Sequence, residues 1–271
     1  QIDNNIDEFI NEKQFFKGNW FGIKDFTIID NQIFISFTRE VKTDCWNTSI
    51  IYGKIGYENI EFEPLFFPSE CIHSKQNKDA EFNAHQSGGR IVNVKGDNII
   101  FSTGDYRSRD KSQQNDSIFG KLIQMNIINK NYKIISKGHR NIQGLSFNND
   151  KNLIVATEHG PKGGDEINLI KLNGNKIYNY GWPISSYGEE YDGKKREGSP
   201  FHKSHKDYGF IEPVKYFEKG IGISEIIKVP SIFNKNFENS FFIGALGYKQ
   251  QMNEGDQSIH HISFDKDFKN I

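Results

Sequence analysis

The chain has 271 residues, and its 34 Lys and Arg residues nearly balance its 35 Asp and Glu residues, so no global field favours nucleic acid or an anionic membrane surface. Aromatic residues make up 14% of the chain, which is typical of half-buried strands more than of long helices. No apolar run approaches the roughly 18 residues that a membrane-spanning helix needs. The composition therefore predicts an all-β protein.

The first strands are predicted in the N-terminal third of the chain. Residues 26–38 (FTIIDNQIFISFT) contain two short apolar runs around Asp30 and Asn31, which is the pattern of a β-hairpin. The run TSIIYGKI adds a third strand. We interpret the segment LFFPSECIH, which follows it, as the start of a loop.

The cysteines and the N-terminus are relevant to the cellular compartment of the protein. Cys45 and Cys71 are 26 positions apart, and they are compatible with one disulfide in an oxidising compartment or with two buried free thiols. The chain begins at Gln1 rather than Met, so we expect a processed or partial sequence. The lack of a signal-peptide pattern is therefore uninformative.

A unit of strand, tight turn, strand, loop and strand recurs along the chain. Four such units begin near residues 20, 88, 143 and 222, and a recurrence at this spacing is the signature of propeller blades. Residues 184–216 interrupt the pattern with a segment rich in Gly, Ser, Lys, His and Tyr. We interpret this segment as a long surface loop that borders a site. The prediction is one β-propeller domain over residues 1–271.

A longer set of motifs carries the functional argument. It consists of HQSGGR at 85–90, STGD at 102–105, GHRN at 138–141, EHGPKGGDE at 158–166 and NYGWP at 179–183. Gly-Pro and Gly-Gly alone mark turns in most proteins. In this order, however, the motifs resemble the soluble aldose or glucose dehydrogenases that use pyrroloquinoline quinone (PQQ), the glucose/sorbosone dehydrogenase family. The resemblance implies a six-bladed β-propeller, and because only about four blades are recognisable, we expect an incomplete ring.

His85 is the candidate general base. A neutral imidazole can accept a hydroxyl proton near neutral pH, although an isolated histidine in a loop is more often only hydrogen-bonded. The motif HQSGGR resembles the segment that carries the catalytic histidine of the family. Ala84 stands where a carboxylate often precedes that histidine, so any orienting role of that carboxylate must be replaced or dispensed with here.

Arg140 and Asn141 are the candidate cofactor contacts. The resemblance implies that Arg140 lies over the quinone and polarises its reacting carbonyl, and that Asn141 contacts the cofactor. A fixed guanidinium can stabilise an oxyanion that develops only in the transition state. A salt bridge between blades is the structural alternative for Arg140.

Gly160 and Pro161 match the loop whose backbone carbonyls bind calcium in the family. Calcium prefers oxygen ligands, including backbone carbonyls, and can polarise a coordinated quinone. Asp165 and Glu166 resemble the acidic pair after that loop. For these two, a second calcium site, a structural hydrogen bond and a solvated turn all remain open.

Three features depart from the family pattern or fall outside it. The family places a cofactor-binding Lys at a strand end where this chain has Gly247, and Lys249 follows two residues later, about 7 Å along a strand. The Arg pair of the last family blade has no counterpart in this sequence. His202 and His205 have an i, i+3 spacing without a zinc pattern, so we interpret them as loop histidines.

These features lead to the hypothesis of a quinoprotein sugar dehydrogenase, dependent on PQQ and calcium, that oxidises an aldose or related polyol by hydride transfer to the quinone. Its partners would be a small-molecule sugar and an unidentified electron acceptor, and the resemblance implies a periplasmic or secreted setting. One alternative is a calcium-dependent, lactonase-like hydrolase in which Glu158, Asp165 and Asp105 converge. A non-catalytic binding propeller is the other, and the departure at Gly247 favours it.

Overall fold

A computed structural model describes most of the chain as two compact units, residues 1–134 and 135–271. The described residues are 2–12, 21–78, 80–174, 176–230, 232–233, 237, 239–249, 254–255 and 257–271, with only the backbone described at 248–249 and 254–255. The single domain over the whole chain stays a prediction.

The first unit consists of strands and single 3-10 turns. Its strands are β1 (Asp3–Asn4), β2 (Ile23–Ile29), β3 (Gln32–Lys42), β4 (Cys45–Lys54), β5 (Asn59–Ile60), β6 (Phe62–Phe66), β7 (Ile72–His73), β8 (Gly88–Asn93), β9 (Asn98–Thr103) and β10 (Lys121–Asn126), and β11 (Tyr132–Lys137) crosses into the second unit. The 3-10 turns are Ile6–Glu8, Ala84–Gln86 and Arg109–Gln113.

Two antiparallel sheets make up most of the described part of the first unit, and β1 pairs with β5 in parallel. One has the order β2-β3-β4-β6, with β7 also paired to β4, and the other contains β8, β9 and β10 in sequence. The predicted hairpin is confirmed: its turn residues Asp30 and Asn31 have φ of 45° and 67°, a conformation that short polar side chains tolerate and that matches the twist of paired strands. Phe34, Phe101 and Phe119 are fully buried in the core of this unit.

The segment LFFPSECIH differs from its prediction as the start of a loop. Its first part belongs to β6, which pairs with β4 through Ile50 and Phe66, and Ile72 lies in β7. Because Leu65 and Phe66 are buried in the core, their side chains hold this segment against the sheet. Hydrophobic burial thus extends the sheet through Phe66, and Pro68 and Ser69 follow outside the strands.

Of the two alternatives for the cysteines, the structure shows the disulfide. Cys45 and Cys71 are bonded, with their Cα atoms 5.4 Å apart. The bond joins the start of β4 to the residue before β7.

The second unit is also built mainly of β-strands. They are β12 (Ile142–Asn148), β13 (Leu153–Glu158), β14 (Asp165–Lys171), β15 (Tyr178–Asn179), β16 (Lys215–Phe217), β17 (Ile223–Lys228), β18 (Ser240–Ala245), β19 (Tyr248–Lys249), β20 (Glu254–Gly255) and β21 (Ser258–Ser263), and Lys206–Tyr208 form a 3-10 turn. The sheets have the orders β12-β13-β14-β16 and β17-β18-β21, while β19 pairs with β20. β15 pairs with β11 in parallel.

The repeat pattern predicted the sheets closely. Their first strands begin at Ile23, Gly88, Ile142 and Ile223, against predicted starts near residues 20, 88, 143 and 222. The all-β class is confirmed. Across the described ranges, no helix is both long and apolar enough to cross a membrane.

The disulfide should contribute measurably to stability. Replacing Cys45 and Cys71 together by Ser removes the cross-link from the unfolded chain, and for a loop of this length the free energy of unfolding should fall by about 3 kcal/mol. Urea unfolding monitored by circular dichroism measures the loss. Reductant should weaken the wild type to the level of the double variant and leave the variant unchanged. Equal stability of both oxidised proteins would contradict the prediction.

Candidate functional site

A cleft of about 190 Å³ lies in the second unit, at the loop between β13 and β14. It is lined by His159, Gly160, Pro161, Lys162, Gly163, Asp165, Tyr191, Gly220, Gly222 and Gly247. Five of these positions are glycines, so backbone rather than side chains forms much of the wall. Such a wall can bring backbone carbonyl and amide groups close to a bound group.

Asp165 holds this loop in place. Its Oδ1 accepts a hydrogen bond from the Gly160 backbone amide at 3.0 Å. Its Oδ2 accepts from the amides of Ile221 and Ile223 at 2.9 and 3.2 Å. The side chain is buried, so a solvated turn is the wrong interpretation of the acidic pair, and for Asp165 the structure shows the structural hydrogen bond.

The 184–216 segment packs closely on the same loop. Lys162 and Glu189 exchange two backbone hydrogen bonds of 3.0 and 2.8 Å. A Cβ atom at Gly164 would collide with the backbone of Gly188, and one at Gly188 would collide with the carbonyl oxygen of Gly163. The segment predicted to border the site therefore contacts the cleft loop directly.

Arg140 lies beside this loop and is buried. Its backbone amide donates to Glu158 Oε1 at 2.5 Å, and its guanidinium donates to the His159 carbonyl at 3.1 Å. The guanidinium carbon lies 5.5 Å from the centre of the Trp182 ring, within cation–π range. Asn141 is also buried, and its carbonyl accepts from the His159 amide at 3.0 Å. Both candidate cofactor contacts are thus fixed to the residue before Gly160.

A buried polar network that the sequence did not predict lies next to Arg140. Glu158 Oε2 is 2.9 Å from His139 Nδ1 and accepts from Asn168 Nδ2 at 3.3 Å. Asn168 also donates to Glu166 Oε2 at 3.2 Å, which links the two carboxylates. The motif GHRN contains His139, but its sequence gives no sign that the imidazole faces a carboxylate 19 residues later.

Glu166 pairs with a histidine that the sequence assigned to a loop. His205 is buried, with Nδ1 2.7 Å from the Tyr180 carbonyl oxygen and Nε2 3.3 Å from Glu166 Oε1. Burial disfavours the charged imidazole, but the hydrogen bond and charge of Glu166, with the Tyr180 carbonyl, outweigh it and raise the pKa of His205. The imidazole thus lies between the Tyr180 carbonyl oxygen and the carboxylate of Glu166.

His85 lies in the first unit, on the 3-10 turn Ala84–Gln86. Its amide donates to Asn83 Oδ1 at 2.8 Å, an N-cap that fixes the start of the turn, and its side chain is exposed. The carbonyl of Gln86 accepts from the Tyr106 amide at 2.9 Å. A Cβ atom at Gly104 would overlap this carbonyl, so the STGD motif needs glycine there for a close backbone approach.

Lys24 on β2 reaches the same turn, a contact that no sequence motif predicted. Its Nζ donates to the Ala84 carbonyl at 3.2 Å. Burial, with a smaller effect of the Arg90 charge, lowers its pKa from 10.5 to about 8.

The structure brings together most but not all of the predicted site residues. Arg140, Asn141, Gly160, Pro161, Asp165 and Glu166 lie together in the second unit, and His85 lies in the first. The side chain of Lys249 lies outside the described part of the structure, which shows only its backbone pairing with Glu254. Among the described residues, no three His, Cys, Asp or Glu side chains are grouped to hold a metal ion.

Comparison with known proteins gives consistent matches. The profile of the family described as "Glucose / Sorbosone dehydrogenase" matches residues 24–268. Aldose sugar dehydrogenase YliI of Escherichia coli is 32% identical over 172 residues, which cover 59% of this chain but only 44% of the relative. The chain therefore spans less than half the length of that protein.

Solved structures share the fold. The apo form of the soluble aldose sugar dehydrogenase from Escherichia coli matches with a TM-score of 0.72 and 24% identity, over 91% of this chain and 70% of that one. The PQQ-bound aldose sugar dehydrogenase from Streptomyces coelicolor matches with a TM-score of 0.56 and 20% identity, over 86% and 63%. The β-propeller class is thereby confirmed, whereas the six-blade count stays a prediction.

The packing of the cleft loop can be tested with a matched pair of glycines. Gly164 and Gly193 share a φ of 69°, but a Cβ at Gly193 would meet no atom within 4 Å. Gly193→Ala should therefore cost only the backbone strain, about 1 kcal/mol. Gly164→Ala should cost about 3 kcal/mol, because the methyl group also collides with Gly188. Urea unfolding of both variants measures the difference, and equal losses would contradict the close packing.

The pKa of Lys24 predicts a pH dependence of stability. Between pH 8 and about 10.5 the unfolded chain keeps a proton on Lys24 that the folded protein has released, so the free energy of unfolding rises with pH in this window. Lys24→Met removes this contribution. Thermal unfolding from pH 7 to pH 10 should show the wild type gaining stability relative to Lys24→Met. The exposed control Lys95→Met should show the same pH dependence as the wild type. Parallel curves for the wild type and Lys24→Met would contradict the shift.

Proposed function

Because this chain belongs to the glucose/sorbosone dehydrogenase family, we propose that the full-length protein oxidises an aldose or related polyol with PQQ and calcium as cofactors. The observation that carries the proposal is the glycine-walled cleft with Arg140 fixed beside it. The names of the relatives support the substrate class, and the PQQ in the Streptomyces coelicolor structure supports the quinone.

The cleft loop suits calcium by its donor chemistry. Backbone carbonyls are hard oxygen donors of the kind that calcium prefers, and a loop with glycines at 160, 163 and 164 leaves its backbone uncovered by side chains. We assign Gly160 and Pro161 as the residues that would hold the ion. Asp165 and Glu166, predicted as further ligands, are assigned a supporting role, because amide protons and His205 already engage their oxygens.

The basic and amide side chains beside the cleft suit PQQ, which is a planar polycarboxylate. When bound, PQQ supplies the acceptor for the hydride of the substrate carbon. Arg140 would place a positive charge near the quinone oxygen and stabilise the negative charge that develops there. Its contacts with the His159 carbonyl and with Trp182 fix the guanidinium in advance, so little reorganisation is needed during the reaction. Asn141 would orient the cofactor, with Lys249 as a further candidate contact.

His85 would accept the proton of the sugar hydroxyl. Its imidazole is exposed, so a substrate can reach it, and the Asn83 cap fixes the backbone from which the side chain extends. Loss of that proton raises electron density on the carbinol carbon and favours departure of its hydride. The proton stays on the imidazole until solvent removes it.

The disulfide supports a periplasmic or secreted setting, because such bonds persist in oxidising compartments. The hydrolase alternative is less well supported. It needs free carboxylates around a metal ion, whereas the carboxylates of Glu158 and Asp165 each accept several internal hydrogen bonds.

Titration of the full-length protein with PQQ, with and without calcium, tests the proposal. We expect calcium-dependent binding at micromolar PQQ, followed by reduction of the quinone absorbance when an aldose is added. His85→Ala should keep PQQ binding but lower turnover by about 10²–10⁴-fold, because it removes only the proton acceptor. His261→Ala, at an exposed histidine of the second unit, is the matched control and should act like the wild type.

Two results would count against the proposal. Absence of PQQ binding would favour the non-catalytic binding propeller. Turnover of His85→Ala equal to that of the wild type would reject His85 as the base while leaving the quinoprotein assignment in place.

A further inference from the structure

Lys24 makes a contact that none of the proposed catalytic roles uses. Its side chain crosses from β2 to the turn that carries His85, and its Nζ donates to the carbonyl of Ala84, the residue before His85. The contact joins residues 60 positions apart in sequence. The methyl side chain of Ala84 offers no polar group that could orient its neighbour.

The surroundings of Lys24 are shaped to fit its side chain. A Cβ atom at Gly89 would lie 2.5 Å from the Cβ of Lys24 and 3.1 Å from its Cγ, so glycine at this position leaves room for the stem. Gly89 has a φ of 101°, a conformation that favours glycine for a second reason. Lys24 can therefore reach the turn because residue 89 is a glycine.

Holding an ammonium here has a cost. Lys24 is half-buried, and the charge of Arg90 on β8 repels its ammonium. Asp25, the acid next to it in sequence, lies 3.7 Å from Arg90 and accepts from the Ile91 amide. An apolar side chain such as Met would fill the same space without desolvating a charge.

We propose that Lys24 is a positioning residue for His85: its ammonium holds the Ala84 carbonyl and so fixes the turn that presents the imidazole to the substrate. The role rests on the proposed function of His85 as the base. The Asn83 cap restrains the amide side of the turn, through the amides of His85 and Gln86, and Lys24 restrains its carbonyl side. Because both sides of the turn are held, the imidazole does not shift. Even a small misplacement of a catalytic group can lower the rate by a large factor.

Three variants of the full-length protein test this role: Lys24→Met, which keeps the length but not the donor; Lys24→Arg, which keeps the donor and the charge; and Lys95→Met, an exposed control on the β8–β9 turn. Two quantities are measured for each: hydrogen exchange of the amides in residues 83–87, and steady-state kcat and KM for an aldose with PQQ and calcium.

Lys24→Met should speed amide exchange in residues 83–87 by about tenfold and lower kcat by about tenfold, with KM within about twofold of the wild type. Lys24→Arg should recover most of both losses, and Lys95→Met should show neither. Faster exchange with unchanged kcat would overturn the role, because the contact would then be structural only. Unchanged exchange would overturn it as well.

The design separates this inference from the function on which it rests. If the wild type binds no PQQ and oxidises no aldose, the proposed function fails, and the role of Lys24 fails with it. If the wild type is active and Lys24→Met has the same exchange and kcat, only the role of Lys24 fails.

Discussion

The second unit depends on the buried carboxylate of Asp165. This one side chain accepts amide protons from Gly160, in the loop before its own strand, and from Ile221 and Ile223, at the start of the next sheet. A buried carboxylate is costly unless its oxygens are hydrogen-bonded, so the three amides and the carboxylate stabilise one another. The result is a loop that keeps its shape although glycines occupy many of its positions.

Close packing of the backbone explains why few side chains form the wall of the site. Where Gly163, Gly164 and Gly188 approach one another, any side chain would fill the space that the neighbouring backbone occupies. Polar side chains surround this backbone: Arg140 donates to the His159 carbonyl, and His205 lies against Glu166. The cleft wall therefore offers fixed backbone dipoles, and Arg140 is bonded to the carbonyl of His159, one of the lining residues.

In the first unit, tertiary contacts fix the turn that carries the exposed imidazole of His85. The turn of His85 is held by a cap from Asn83, by the backbone of Tyr106 and by the side chain of Lys24, which all come from outside the turn's own three residues. Tertiary contacts therefore provide the order that a single 3-10 turn lacks by itself.

Local patterns in the sequence were enough to predict the class of fold, the sheet starts and the motifs of the candidate site. Alternating apolar residues and turn pairs such as Asp30 and Asn31 act locally, and the motifs GHRN and GPKGGDE are contiguous. Contacts between distant residues place Leu65 and Phe66 in β6, let Asp165 support the loop, and bring His205 to Glu166 and Lys24 to Ala84. These contacts join residues far apart in the chain, 58 positions for Asp165 and Ile223 and 60 for Lys24 and Ala84, and no local pattern encodes such a distance.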